Sequence, residues 1–332
     1  MIQSKFKFLR WTKENHSKLK IIFLITIVII GTSLGVLLTL YSLINFKRPK
    51  FELADRQIDD FAYWINDIDK KQIRDSKYDL IIIDYSADGS EDEEFTDDDL
   101  DYMKSSGDEK KLLISYISIG EAEDYRYYWE DSWDSDEDGI PDSGAPAWLD
   151  EENPDWGGNY KVRYWMQGWQ DIIYDYLDRI IDAEFDGIYM DLIDAYEYYE
   201  DDIPISDWLM IDFVSNISDY VKSDQGKDFL VFVQNGDNLL KNSTYLDHID
   251  GIGREDLFFD DDDPTDEEDR VKSIKNLNKA LEEEKAVLII DYPTNWINNY
   301  EFYKNCADNG FLGYATNREL DRLYEYWYFP AT

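Results

Sequence analysis

A (β/α)8 TIM barrel behind one membrane-spanning helix is the fold class this 332-residue sequence predicts, on three observations. Eight short apolar runs recur between residues 61 and 317, with helical patterns between them. Several runs are apolar at every position rather than alternating, as strands buried on both faces of a parallel sheet are. No glycine-rich first turn of the dinucleotide or P-loop kind is present, which turns the choice away from a doubly wound open sheet.

The elements follow in order. Residues 1–20 are a basic segment, and residues 21–46 form 26 consecutive uncharged, mostly apolar positions. At about 1.5 Å per residue that is roughly 39 Å of helix, enough to cross a ~30 Å hydrocarbon core. Six cations precede this stretch (Lys5, Lys7, Arg10, Lys13, Lys18, Lys20) and three follow it (Lys47, Arg48, Lys50). The positive-inside rule then predicts a single-pass protein of the cell membrane, held in the lipid bilayer by 21–46. Its N-terminus is cytoplasmic and its barrel extracellular. A cleaved signal peptide is the alternative and also exports the body, but those have apolar regions of about 7–15 residues and a small-residue cleavage site. Residues 47–57 read as a linker, and 58–332 as the barrel domain.

Charge divides the chain in the same place. The whole carries −41, yet residues 1–50 are net +8 and residues 51–332 are net −49. Such a body repels phosphate backbones, which excludes nucleic acid as a partner. A hydrophobic content of 43% with 16% aromatics argues for a packed domain rather than an acidic disordered one. Two histidines cannot build a His-rich metal centre, and the single Cys306 excludes an intrachain disulfide or a CxxC site.

The eight runs are Phe61–Ile65, Tyr78–Ser86, Lys111–Gly120, Gly187–Ile193, Phe229–Asn235, Gly251–Leu257, Ala286–Tyr292 and Phe311–Asn317. Between them, Trp165–Phe185 repeats apolar residues on one helical face, Asp207–Lys222 reads as a helix, and Thr265–Glu284 opens with a capping box of Thr265 and Glu268. The connection after the third strand is too long for a plain loop, and an insertion over about 127–162 is expected there. Within it Asp134, Asp136, Asp138 and Asp142 are spaced D-x-D-x-D-G-x-x-D. Oxygens at alternate positions and a turn-permitting Gly139 suit a structural Ca²⁺; a solvated acidic loop is the other reading.

Barrel active sites lie at the C-terminal ends of the strands. Those ends carry Asp84, Glu121, Asp191, Asp194, Gln234, Asn235, Glu255, Asp256, Asp291, Tyr292, Thr316 and Asn317. No Ser–His or Cys–His pair is available for acyl transfer, and no lysine ends a strand for a Schiff base. Carboxylates, amides and aromatics are what glycosidic-bond chemistry uses: one acid protonates the leaving oxygen while a second carboxylate attacks or activates water. Tyr85, Tyr125, Tyr127, Tyr128, Trp129, Trp148, Trp156, Tyr292 and Trp296 could stack on sugar faces. Each residue has a structural reading too. Asp84 could tie strand ends together, Glu121 and Arg126 could be a loop ion pair, and Gln234 and Asn235 could orient neighbours. The aromatics could pack the loops. Pattern alone does not choose the reacting pair.

The segments ISYISIGEAEDYRYYW (114–129), FDGIYMDLIDAYEYY (185–199) and GIGREDLFF (251–259) resemble the extracellular barrels of glycoside hydrolase family 114, the endo-α-1,4-polygalactosaminidases and their archaeal and bacterial relatives. The resemblance runs over roughly residues 58–325. It implies Asp191 as nucleophile or stabiliser and Glu255 as general acid/base, in a retaining mechanism with no catalytic cofactor. Asp84, Tyr85, Glu121, Arg126, Gln234, Asn235, Asp291 and Tyr292 are then the substrate-binding set. Strand alternation is expected to point Arg254 away from Glu255. The implied substrate is a polysaccharide of cationic amino sugars, which a body of −49 would attract. Two readings from other classes remain beside this one: a non-catalytic carbohydrate-binding surface protein, and a hydrolase with a metal ion in the barrel mouth.

Overall fold

A computed structural model of the chain describes residues 48–105, 111–225 and 228–325. The span expected at 21–46 lies outside the described residues, and among these no helix is long and apolar enough to cross a membrane.

All eight expected strands form: β1 (Phe61–Tyr63), β2 (Leu80–Ile83), β3 (Leu112–Ser118), β4 (Gly187–Asp191), β5 (Leu230–Gln234), β6 (Gly251–Glu255), β7 (Ala286–Asp291) and β8 (Leu312–Ala315). They lie side by side in chain order and every pairing is parallel. Every residue of β1, β2, β3, β5 and β7 is buried, which is why those runs read as continuously apolar. The ends of the sheet come round to one another. The Phe61 and Tyr314 rings, on β1 and β8, lie 5.9 Å apart. The backbone N–H groups of Ile65 and Asn66 donate to the Leu320 carbonyl at 3.2 and 3.1 Å.

Large rings fill the barrel interior. Tyr116 pairs in register with Tyr189 on β4, and Tyr189 pairs with Phe232 on β5. Tyr63 packs 5.4 Å from Tyr189 and 6.4 Å from Tyr116. The next strand gives way to them: a Cβ on Gly253 would stand 1.7 Å from the Tyr189 hydroxyl. The glycines of GIGRED are therefore room for the rings of the two strands before it.

The helices are α1 (Lys70–Asp75), α2 (Asp97–Lys104), α3 (Gln167–Asp182), α4 (Ser206–Gln225), α5 (Ser243–His248), α6 (Glu267–Glu282) and α7 (Trp296–Asn309). In α3, Trp169, Ile173, Tyr176, Leu177 and Ile180 are the buried stripe. The expected capping box of α6 does not form. Asp266 caps the helix, accepting from the N–H groups of Glu268 and Asp269. Thr265 is engaged elsewhere, its hydroxyl donating to the Leu257 carbonyl at 2.7 Å.

Two connections have structure that the apolar pattern does not predict. Residues Phe51–Leu53 and Arg56–Ile58, in the expected linker and one residue beyond it, form an antiparallel hairpin. Ion pairs of Arg48 with Asp60 (2.7 Å) and Lys50 with Asp59 (3.3 Å) tie it to the start of β1. The insertion after β3 is a three-stranded antiparallel sheet of Glu121–Glu123, Asn159–Val162 and Leu149–Glu152, so it begins before residue 127. Its core is a file of rings: Trp129 against Trp133 (5.1 Å), Trp133 against Trp148 (5.2 Å) and Trp148 against Trp169 of α3 (5.0 Å). Trp129 and Trp148, expected among the sugar-facing aromatics, are used in this packing.

Candidate active site

Asp191 is the last residue of β4 and shares the inward face with Tyr189, two residues before it. Leu192, next in the chain, is left-handed at φ +59°, a conformation that costs a side chain-bearing residue about 1–3 kcal/mol. That turn brings the Leu192 N–H onto Asp191 Oδ1 at 2.7 Å. The Tyr116 hydroxyl donates to Oδ2 at 2.9 Å. Burial pushes the Asp191 carboxyl well above the usual carboxylate range, the charge of Glu255 pushes further, and the two donors oppose.

Glu255 is the last residue of β6, on the face of Gly253. The Tyr292 hydroxyl donates to its Oε1 and the Gln234 amide N–H to its Oε2. Its carboxyl is raised as well, by burial first; Tyr292 and Arg254 pull it down while Asp256 and Asp194 push it up. Both carboxyls also raise the buried Tyr63 hydroxyl, after burial itself, so both charges act on the same ring of the barrel interior. Two half-buried, mutually repelling carboxyls retain one proton between them more readily than they ionise together.

Three successive strand ends repeat one device. Leu192, Asn235 and Asp256 follow Asp191, Gln234 and Glu255, and all three have positive φ. Asn235 uses that turn to accept from Arg254 Nη1 at 2.9 Å and from the Glu255 N–H at 3.2 Å. Arg254 is thereby held beside the site, also 3.7 Å from Asp237, and its charge lowers Glu255. Strand alternation turns its side chain to the other face, yet the end of a strand is short enough for the charge to reach across.

A family description decides what this pair of strand-end carboxyls belongs to: that of glycoside-hydrolase family GH114 matches residues 49–329. The chain belongs to family GH114. A protein of Methanocaldococcus jannaschii is 36% identical over 284 residues, which span 80% of this chain and 78% of the relative. Among solved structures, the glycoside hydrolase domain of PelA from Pseudomonas aeruginosa superposes with a TM-score of 0.62 at 14% identity, covering 80% of this chain and 97% of that one. Ega3 from Aspergillus fumigatus, solved in complex with galactosamine, gives 0.59 at 14%, covering 84% and 97%. At that identity the likeness to the two structures is one of fold.

Within the GH114 barrel the remaining expected site residues divide. Asp84, Tyr85 and Arg126 do not line the mouth as expected. Asp84 accepts from Arg126 Nη1 and Nη2 at 2.9 and 2.7 Å, and Glu123 accepts from Arg126 Nε at 2.6 Å. Tyr85 is buried against Tyr176 of α3 at 4.8 Å, with the guanidinium over its ring. This sealed network anchors the insertion to β2, and its guanidinium has no fork left for substrate. Asp291 is also occupied. Its oxygens accept the backbone N–H groups of Leu257, Phe258 and Phe259 at 2.9, 3.0 and 2.9 Å, which shapes the loop after Glu255. Burial still lifts its carboxyl to about 7, against those three donors.

Glu121 is fully buried, and its Oε1 accepts from Asn153 Nδ2 at 2.9 Å and the Tyr198 hydroxyl at 3.0 Å. It therefore joins the insertion to the turn after β4. Among the expected aromatics, Tyr125, Trp156 and Trp296 are exposed. Gln234 and Tyr292 sit where expected, but on Glu255. Asn235 is one step further out, bonded to Arg254 and the Glu255 backbone.

In the acidic loop, carboxylate oxygens of Asp134, Asp136 and Asp138 come within 4.8 Å of one another. Asp142 does not join them: it accepts from the Ser135 N–H at 3.0 Å. Mutual repulsion raises Asp136. Three oxygens so close suit a hard cation, and the donors on Asp134, from Gly139 N–H and the Tyr160 hydroxyl, fix the loop without one.

Sequence reasoning missed Tyr116, Tyr63 and Arg318. Arg318 stacks over Tyr292 at 4.5 Å and bonds Asp256 (3.0 and 3.1 Å), Asp260 and Asp261 (2.7 Å), pinning the loop after β6. The signal for Tyr116 was present: a polar-tipped ring inside a fully buried strand, on the side of the sheet where Asp191 lies.

Proposed function

We propose that the chain is a membrane-anchored, outward-facing glycoside hydrolase that cleaves an α-linked amino-sugar polysaccharide of the galactosamine type. The observation that carries the reading is the Asp191–Glu255 pair: two half-buried carboxyls at the ends of β4 and β6, each held by a tyrosine hydroxyl, in a chain of family GH114. The galactosamine bound to Ega3 supports the sugar class, and the charge of residues 51–332 favours a polycation. The anchor rests on the composition of residues 21–46 and the cations before them, with the barrel from residue 58 on outside the cell.

Glu255 gives its proton to the leaving glycosidic oxygen while the Asp191 carboxylate attacks the anomeric carbon. Glu255, now ionised, takes a proton from the water that attacks the same carbon and frees Asp191. Burial raises both carboxyls. The developing positive charge of an oxocarbenium-like transition state beside Asp191 favours the ionised form of that carboxyl and leaves the proton on Glu255. The Asp134–Asp136–Asp138 loop is proposed to take a structural Ca²⁺ away from the chemistry.

The test is the anomeric configuration of the first product from α-1,4-linked galactosamine oligomers, followed by NMR. Retention is expected. Inversion would replace the attack by Asp191 with a water molecule, and binding of the oligomers without cleavage would favour a carbohydrate-binding protein.

A further inference from the structure

We propose that Asp194 selects sugars carrying a free amino group, by holding that ammonium beside the Asp191–Glu255 pair. The inference rests on the amino-sugar reading above and names the residue that reads the amine.

Asp194 lies three residues past Asp191, in the short turn Ile193–Tyr198 that the left-handed Leu192 opens. Its charge is felt by both Asp191 and Glu255, and by Tyr198 at the edge of the mouth. It is half-buried, yet among the described residues no other residue donates a hydrogen bond to its carboxylate. The nearest cation does not supply one. Arg254 is turned to Asn235 Oδ1 at 2.9 Å and Asp237 at 3.7 Å, and acts on Asp194 only as a charge.

A second unfilled acceptor stands on the same pair. Gln234 is 2% exposed, and its amide is oriented by Glu255, to which the N–H donates. Its Oε1 is buried with no partner. The mouth thus offers an amide oxygen that lacks a donor, and a half-buried carboxylate whose nearest cation, Arg254, gives it no hydrogen bond. Such groups are costly to leave unpaired. An ammonium is the complementary ligand: three N–H donors, no acceptor and a positive charge. An acetamido group at the same carbon carries no charge and keeps one N–H donor where the ammonium has three, which discriminates against it.

The same contact helps the chemistry. An ammonium at C2, one bond from the anomeric carbon, opposes the positive charge that grows there during cleavage. A carboxylate on that ammonium offsets the opposition. Burial holds Asp194 up at about 6, and an arriving ammonium draws it to the ionised form.

The test compares the full-length wild type with Asp194→Asn on two α-1,4-linked galactosamine oligomers, one with free amines and one fully N-acetylated, reading both binding and hydrolysis. The substitution should weaken binding and kcat/KM for the free-amine oligomer by about 10- to 100-fold, the worth of a charge-assisted hydrogen bond. The acetylated oligomer, which meets Asp194 only through its charge on Asp191 and Glu255, should lose far less, so the preference between the two collapses. An equal loss on both, or no loss on either, overturns the proposal, as does a wild type that binds neither oligomer. Amine-selective binding that depends on Asp194 without cleavage would sustain the proposal and sink the hydrolase reading alone.

Discussion

The Tyr116 hydroxyl donates to Asp191 Oδ2 at 2.9 Å, a bond from the middle of β3 to the end of β4. It favours the ionised carboxylate in surroundings that otherwise favour the acid. Tyr116→Phe should therefore raise the Asp191 carboxyl further. The acidic limb of the kcat/KM profile moves to higher pH, and activity on the acid side falls about tenfold, the worth of a hydrogen bond to a charged group. An unmoved acidic limb would mean that Tyr116 packs without tuning.

Tyr292 acts on the other partner. Its hydroxyl bond lowers Glu255, whose carboxyl stands raised by burial. A general acid is active below its folded pKa and fails as pH rises through it. Tyr292→Phe removes a lowering contact, so the alkaline limb should shift upward. A downward shift in the pH–rate profile would contradict the assignment of Glu255 as the acid.

Arg126 makes a prediction about stability. It is buried with Asp84 and Glu123, and removing it leaves two carboxylates without their cation. Arg126→Ala should cost about 3–5 kcal/mol in urea unfolding, as breaking a buried pair does. If Arg126 bound substrate at the surface, the variant would unfold like the wild type and lose only KM.

The acidic loop can be tested by calcium. At a hundredfold excess over Kd, a single site adds about 2.7 kcal/mol to stability. Calcium should raise the thermal midpoint of the wild type and leave that of Asp136→Asn nearly unmoved. Asp142, which is bonded to Ser135, should matter less than Asp136. Equal responses of wild type and Asp136→Asn would remove the calcium reading.

The barrel was legible because its strands are short and sheathed on both faces, so composition alone marks them. Asp191 and Glu255 were legible as strand-end carboxylates, and it was the resemblance to family 114, not the pattern, that set them apart from the others. What the sequence hid is which strand-end polar groups the protein itself consumes. Asp84 and Arg126 are 42 residues apart, and Asp291 takes donors from a loop more than 30 residues before it. No local pattern announces either contact. The three-stranded insertion was hidden for a different reason. Its strands, EAE, LDEE and NYKV, are three or four residues long and mostly polar, so their pairing rests on the tryptophans between them.

The central claim is that Asp191 and Glu255 react. Steady-state hydrolysis of α-1,4-linked galactosamine oligomers by Glu255→Gln, beside the wild type, tests it most directly. Glutamine keeps the shape and an acceptor for Tyr292 but cannot pass a proton. The account predicts a fall of about 10²–10⁴ in kcat, the contribution of a positioned general acid. Full hydrolysis by Glu255→Gln would contradict it.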